Sequence, residues 1–305
     1  MTFDKPTDAV TRRHTLRVLG ALCVTGSVAA CAGQPDDVNK AATDPTAAPV
    51  QPPSAATIAR YQTIQDNGYT IDAVDPGYLT GSNPRTLVYY NGPEPVGNIV
   101  IDPYARRLYL VLDGGVAIRY GCAVGKEGKT FSGNGVIQRK AEWPHWRPTA
   151  SMIKNEPDKY GDYAEGVDGG PENPLGARAL YLYRNGRDTY YRIHGTNNPS
   201  TIGRATSAGC IRLFDQDIID LYSRVPLGTK VHVRTPEESA QMVGPLQPGF
   251  MGYVVPVHDP DQVITGPQAD RILDNSSTAT DAAVASTDPS EGGGLSPIPP
   301  RKQAI

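Results

Sequence analysis

The sequence predicts a mainly β fold, a sandwich or barrel with one or two short helices, flanked by disordered tails. Three observations predict it. Short apolar runs bounded by turn residues recur between residues 98 and 233. A single segment near 217–225 carries a helical apolar period. Pro and Gly number 28 and 32 in 305 residues, well above the roughly 12% usual for both together. Long loops or tails therefore accompany one core rather than two helical domains.

The elements follow in order. Asn98–Asp102 and Arg107–Leu112 read as strands joined through Pro103-Tyr104-Ala105. Asp113-Gly114-Gly115 is a turn, and Val116–Ala123 completes a hairpin. Gly135–Lys140, Ala179–Tyr183, Tyr190–His194 and Lys230–Val233 read as further strands, with a hairpin turn of the Asn-Gly kind at Asn185-Gly186. The helix spans about Asp217–Val225, with Phe214, Ile218, Leu221, Tyr222 and Val225 on one face. Asp215 fits its N-cap, and Pro226 with Gly228 ends it. Residues 141–176 hold both tryptophans and no sustained period. They read as a lid over a groove, or as a long connection under which the tryptophans pack.

The flanks read differently. Arg12-Arg13 followed by the weakly apolar stretch Val18 to Ala30 resembles a twin-arginine export signal. Val28-Ala29-Ala30-Cys31 resembles a lipobox, which places a small-residue cleavage site beside a thiol for lipidation at Cys31. Ordinary cleavage beside Ala30 is the alternative. The expectation is an exported, periplasmic chain, lipid-anchored at Cys31. No Asp follows Cys31, so the outer membrane is favoured over the inner. No run of about 20 apolar residues occurs that would cross a membrane as a mature helix. The expected organisation is 1–30 signal peptide, 31–96 tether and N-terminal extension, 97–234 a strand-rich central domain, and 235–305 C-terminal extension, largely disordered from about 274.

The net charge of −3 hides an asymmetry. Residues 97–234 carry +5, between flanks of −2 and −6. A basic middle suits anionic ligands. Nucleic acid is not expected, since no basic stripe interleaved with aromatics appears. The scattered histidines show no metal-ligand spacing, so neither a metal nor another cofactor is expected.

Chemistry concentrates at His194-Gly195 and at Ser207-Ala208-Gly209-Cys210-Ile211-Arg212, whose cysteine lies sixteen residues after the histidine. A thiol preceded by small residues lets backbone N–H groups converge near the sulfur, where they hold an oxyanion. A histidine within reach takes the thiol proton. On spacing alone a buried core cysteine remains an equal reading. With Cys23 in the signal and Cys31 at the lipidation site, Cys122 reads as core and Cys210 as the nucleophile. A single disulfide between those two is the alternative in an oxidising compartment.

These residues, with Val124-Gly125-Lys126, Gly133-Asn134-Gly135, Lys140, Trp143-Pro144, Asn173-Pro174-Leu175-Gly176 and the closing Arg224 to Val231 stretch, closely resemble the L,D-transpeptidases of the YkuD-domain family. Ala208 departs from the family pattern, which has a second histidine there, and Phe131-Ser132-Gly133 shortens the family's Thr-Pro-x-Gly. The resemblance implies a YkuD-like fold and peptidoglycan stem peptides as substrate. It also implies Cys210 as nucleophile and His194 as proton acceptor and donor. The thiolate would attack the diaminopimelate(3)–D-Ala(4) bond of a tetrapeptide stem and form a thioester. An amine of a second stem would resolve it to a 3→3 cross-link; a protein lysine or water are the other acceptors. Ser207, Ala208 and Gly209 fall in the oxyanion turn, and Arg212, Gly195, Tyr191 and Trp143 near the substrate. Tyr191 and Arg192 alternate along a strand, so only one of the two faces the groove. Rival readings are an enzyme that anchors an envelope protein to the wall and a non-catalytic wall-binding lipoprotein. A cysteine protease lacks support, because no third orienting Asn or Asp is identifiable.

Overall fold

A computed structural model describes residues 52–125, 131–207, 209–248, 254–259 and 261–274. The signal, the lipobox with Cys31, Ala208 and the tail beyond 274 lie outside the described residues.

Helix α1 (Ala55–Arg60) leads into a small hairpin of β1 (Ile64–Asp66) and β2 (Tyr69–Ile71). Strands β3 (Thr86–Tyr89), β4 (Ile99–Asp102), β5 (Arg107–Leu112), β6 (Val116–Gly121), β7 (Val124–Gly125) and β8 (Gly133–Glu142) follow. Short helices α2 (Ala150–Asn155) and α3 (Pro157–Tyr160) precede the hairpin of β9 (Arg178–Arg184) and β10 (Arg187–His194). Next come β11 (Ala205–Ser207), β12 (Ile211–Arg212), α4 (Asp215–Arg224), β13 (Lys230–Val233) and α5 (Pro236–Val243). Strands β14 (Leu246–Pro248) and β15 (Val254–Pro256) and helix α6 (Pro267–Asp274) complete the described chain.

The protein is mainly β. Nine strands form one mixed sheet in the order β12-β10-β9-β8-β13-β4-β5-β6-β3. Its two ends approach each other: Leu87 of β3 and Ile211 of β12 share a single core with Ile218, Leu221 and Val225 of α4 and its C-cap. The sheet thus curls around α4, and period-2 alternation supplies its apolar lining. The turn at Asn185-Gly186 has φ of 52° and 74°, the left-handed pair that a tight hairpin needs.

Several elements differ from expectation. Helices are more numerous than one or two. Thr235 and Glu238 form a capping box that starts α5, a signal written in Thr-Pro-Glu-Glu. The stretch read as tether already holds α1, capped by Ser54, and β3 of the extension pairs with β6 in the main sheet. The segment 141–176 carries its own helices and is knotted at its base. Buried Asn173 donates Nδ2 to the carbonyls of Pro144, Val167 and Asp168. Trp146 packs on Tyr160 and Tyr163. Cys122 is fully buried and forms no disulfide with Cys210.

The two extensions clasp each other and the sheet. Arg60 of α1 pairs with Asp270 and Asp274 of α6. Val263 bridges to Val88 of β3. Asp261 accepts from Arg107 at 2.8 Å, from Arg119 at 2.9 Å and from Tyr109 at 3.1 Å. The two arginine side chains are only 1% and 3% exposed. Removing one partner of a buried ion pair leaves the other charge uncompensated. Asp259 also pairs with Arg107 at 3.0 Å and lies 3.7 Å from Arg119, so Asp261→Ala leaves two buried arginines sharing one carboxylate and is expected to cost about 2 kcal/mol, read as a lower urea midpoint at unchanged slope.

Candidate active site

The site is built on the edge of the sheet. The two-residue strand β12 pairs in parallel with the end of β10, Ile193 opposite Ile211 and His194 opposite Arg212. Both isoleucines are buried in the core. Side chains alternate along strands, so the residues flanking each isoleucine face the other way. Arg192 and His194 on β10, and Cys210 and Arg212 at β12, therefore share one face. Arg192 thus shares the face of the histidine and the cysteine, and Tyr191, beside the bulge, also lies within electrostatic reach of Cys210. Tyr191 leans on Phe131, with ring centroids 5.2 Å apart. Sequence reasoning left Arg192 as an alternative to Tyr191; the pairing register is what places it on this face.

A bulge in β10 shapes the sulfur's surroundings. The register shifts between Asp188 and Arg192, and Tyr190 takes φ of 62°. The Cys210 thiol donates to the Tyr190 carbonyl at 3.8 Å. Asp188 holds the bulge closed. Its carboxylate accepts from the Tyr190 N–H at 2.8 Å and grips the Arg192 guanidinium at 2.7 and 2.8 Å. The Arg192 guanidinium also lies over the Tyr181 ring at 4.4 Å. On the other side of Cys210, Gly209 has φ of 141°, and a Cβ on Gly125 of β7 would come 2.7 Å from its Cα. Glycine at 125 lets β7 come this close. Ser207 lies at the end of β11, beside Gly125.

His194 is 5% exposed, and its Nδ1 donates to the Gly195 carbonyl at 2.7 Å. Burial and the nearby Arg212 push the imidazole down to about 3, against the pull of the Gly195 and Leu175 carbonyls, which favour the charged ring. Burial raises the Cys210 thiol, while the Arg192 peptide N–H and the charges of Arg192 and Arg212 work the other way. The thiol and the imidazole are thus both neutral at rest.

Asp215 corrects the helix-start expectation. The N-cap of α4 is Phe214, which makes no side-chain cap bond. Asp215 is the first helical residue, and its Oδ1 accepts from the Ala177 N–H at 3.0 Å and the Thr196 N–H at 3.1 Å. Two loops thus converge on one carboxylate. A Cβ on Gly195 would stand 1.8 Å from that oxygen, so only glycine fits there.

Trp143, expected near the substrate, is committed elsewhere. Its indole N–H donates to Asp66 at 2.7 Å and its ring packs on Tyr69 at 4.5 Å. Arg178 also grips Asp66, so the tryptophan anchors the β1–β2 hairpin. Lys140 donates to the Tyr222 and Val225 carbonyls at the end of α4 and so caps that helix. Arg212 is partly buried, within electrostatic reach of Cys210 and of Tyr160 from the 141–176 segment. Among the described residues, no group of three or more His, Cys, Asp or Glu side chains is placed to hold a metal ion. Among the same residues, no helix is long and apolar enough to cross a membrane.

The family model for the YkuD L,D-transpeptidase catalytic domain matches residues 97–233. The putatively named L,D-transpeptidase YqjB of Bacillus subtilis is 31% identical over 48% of this chain and 75% of its own. The probable L,D-transpeptidase YbiS of Escherichia coli is 38% identical over 52% of this chain and 45% of its own. A crystal structure from Brucella melitensis, described as a probable carnitine operon oxidoreductase, is 52% identical over 48% of this chain and 89% of its own, with a TM-score of 0.35. The activity named there is that protein's own. The chain spans less than half the length of YbiS and of the probable L,D-transpeptidase ErfK/SrfK.

The neutral pair has a measurable consequence. A raised thiol holds little thiolate at pH 7, and its reactivity grows as pH rises through and beyond the ordinary cysteine range near ~8.5. Iodoacetamide labelling of Cys210, followed by mass spectrometry, is expected to accelerate only above that range. A plateau reached below pH 7 would instead indicate a preformed thiolate–imidazolium pair.

Proposed function

The chain belongs to the YkuD L,D-transpeptidase family, and from that premise we propose that it is a peptidoglycan L,D-transpeptidase with Cys210 as nucleophile. The observation that carries this reading is the common face of Arg192, His194, Cys210 and Arg212, set by the β10–β12 register.

The substrate is a tetrapeptide stem. Cys210 attacks the carbonyl of the diaminopimelate–D-Ala bond as its proton passes to His194. Because the resting groups are both neutral, proton transfer accompanies attack, and the developing imidazolium and oxyanion are stabilised together. The peptide N–H groups of the 207–210 turn are assigned to the oxyanion. His194 then returns the proton to the departing D-Ala amine, leaving a thioester on Cys210. The amine of a second stem displaces the thiolate and gives a 3→3 cross-link. The charges of Arg192 and Arg212 suit the carboxylates of the stem. The knotted 141–176 segment, which brings Tyr160 near Arg212, restricts water and so favours amine over hydrolysis.

Wild type is expected to release D-Ala from a purified tetrapeptide stem. Cys210→Ala is expected to lower the rate to background, at least about 1,000-fold. Equal release by both proteins would remove this mechanism and favour a wall-binding protein. Muropeptide analysis of a deletion strain separates the acceptors. Loss of 3→3 dimers supports stem transfer, and loss of wall-bound protein supports transfer to a protein lysine.

We also propose export through the Arg12-Arg13 signal and lipid anchoring at Cys31, directed to the outer membrane. The twin arginines and the Val28-Ala29-Ala30-Cys31 run support this. Radiolabelled palmitate is expected to enter the wild-type protein and not Cys31→Ser. Absence of label in both would leave a soluble periplasmic enzyme.

A further inference from the structure

Cysteine–histidine sites commonly include a third group that orients the imidazole, and none is apparent along this sequence. The structure brings one in from the far side of a peptide bond. The His194 Nδ1–H donates to the Gly195 carbonyl at 2.7 Å. The N–H of that same peptide, on Thr196, donates to Asp215 Oδ1 at 3.1 Å. The two hydrogen bonds sit at opposite ends of one rigid amide.

We propose that Asp215 is the positioning residue for His194, acting through the Gly195–Thr196 peptide. The proposal rests on the assignment of Cys210 and His194 as the reacting pair. A carboxylate that accepts from an amide N–H polarises the amide, and its carbonyl becomes a better acceptor. The Gly195 oxygen then holds the Nδ1 hydrogen more firmly, and Nε2 is kept as the proton acceptor. Charge reaches the imidazole without a carboxylate touching it.

Three further observations converge on the same contact. Asp215 Oδ1 also takes the Ala177 N–H, which fixes the Asn173-Pro174-Leu175-Gly176 loop whose Leu175 carbonyl faces the imidazole. A Cβ on Gly195 or Gly176 would come within 1.8 or 2.2 Å of that oxygen, so both loops are shaped around it. And α4 starts from its N-cap Phe214 without a side-chain cap bond, while the Asp215 carboxylate is engaged by the two loops.

Asp215 is held near a titration point. Burial pushes its carboxyl up to about 6, opposed by the Ala177 and Thr196 N–H groups and by Arg178 of β9, with Asp66 of β1 adding to the rise. Asp66 itself is held low by Arg178, and His194 stays neutral down to about 3. Above pH 6 the carboxylate polarises the peptide; below it the neutral acid keeps the hydrogen bonds and loses most of the polarisation. Asp215→Asn imitates the protonated form at every pH.

The experiment compares wild type, Asp215→Asn and Asp215→Ala by ring ¹⁵N NMR of His194 and by D-Ala release across pH. Wild type is expected to hold the Nδ1–H tautomer at pH 7.5 and to lose activity as pH falls through about 6. Asp215→Asn should fold normally and show about a 10-fold lower kcat with KM within about twofold. It should lack the acidic limb and match the wild type below pH 6. Asp215→Ala should lose more and mix the two tautomers. An Asn variant with wild-type kcat, tautomer and acidic limb would overturn the proposal, and so would one that loses stability alone. If neither variant folds, the wild-type titration decides: the Asp215 carboxyl ¹³C and His194 ¹⁵N signals must move together, and independent midpoints overturn it. The NMR readout needs no peptidoglycan, so a failed substrate assignment is told apart from a failed role for Asp215.

Discussion

Two residue pairs of parallel strand, Ile193 with Ile211 and His194 with Arg212, are the constraint on which the site depends. Strand β12 is too short to hold itself in place. It is fixed because Ile211 and Ile193 are both buried in the core, and a slip of one residue would turn Ile211 out to solvent. The same register that buries the isoleucines turns Cys210, His194, Arg192 and Arg212 to the opposite face. Core packing and catalytic geometry are thus one constraint. Leu213, which donates its N–H to the His194 carbonyl, continues it into α4.

The electrostatics follow from depth. The thiol and the imidazole both lie where charge is costly, so each favours its neutral form at rest. Two arginines offset that cost for the thiolate and increase it for the imidazolium. The balance suits a site that develops charge only when substrate arrives. Asp188 tempers Arg192 by direct pairing, and the same carboxylate fixes the bulge whose carbonyl meets the thiol. Charge and backbone shape are coupled at that residue.

Support comes from beyond the matched family segment. The β1–β2 hairpin supplies Asp66, which joins Trp143 to Arg178, and Arg178 in turn faces Asp215. The C-terminal extension supplies Asp261 and Asp259, which together neutralise Arg107 and Arg119 on the sheet. Two of the charges counted in the basic middle are therefore internally paired with the acidic flank.

Much was legible in the sequence because it is local. Period-2 runs placed β4, β5, β6 and β13 within a residue or two, and the Asn-Gly pair placed the hairpin before β10. The His194-Gly195 and Gly209-Cys210 pairs pointed to the reacting residues through small side chains next to reactive ones. What stayed hidden was non-local. Asp215 looked like a helix cap, since Asp before an apolar helix usually is one; its carboxylate instead serves loops 19 and 38 residues away in sequence. Trp143 looked like a binding residue because an aromatic in a long loop has no local partner, and its partners Asp66 and Tyr69 lie more than 70 residues earlier. Arg192 could not be separated from Tyr191, because alternation gives two faces without saying which is inside. The sequence by itself determined the strands and the turns, and it singled out His194 and Cys210 as the candidate pair. Only the tertiary structure decided which face, which loop and which carboxylate surround that pair, because hydrogen bonds and strand register across long separations leave no local pattern.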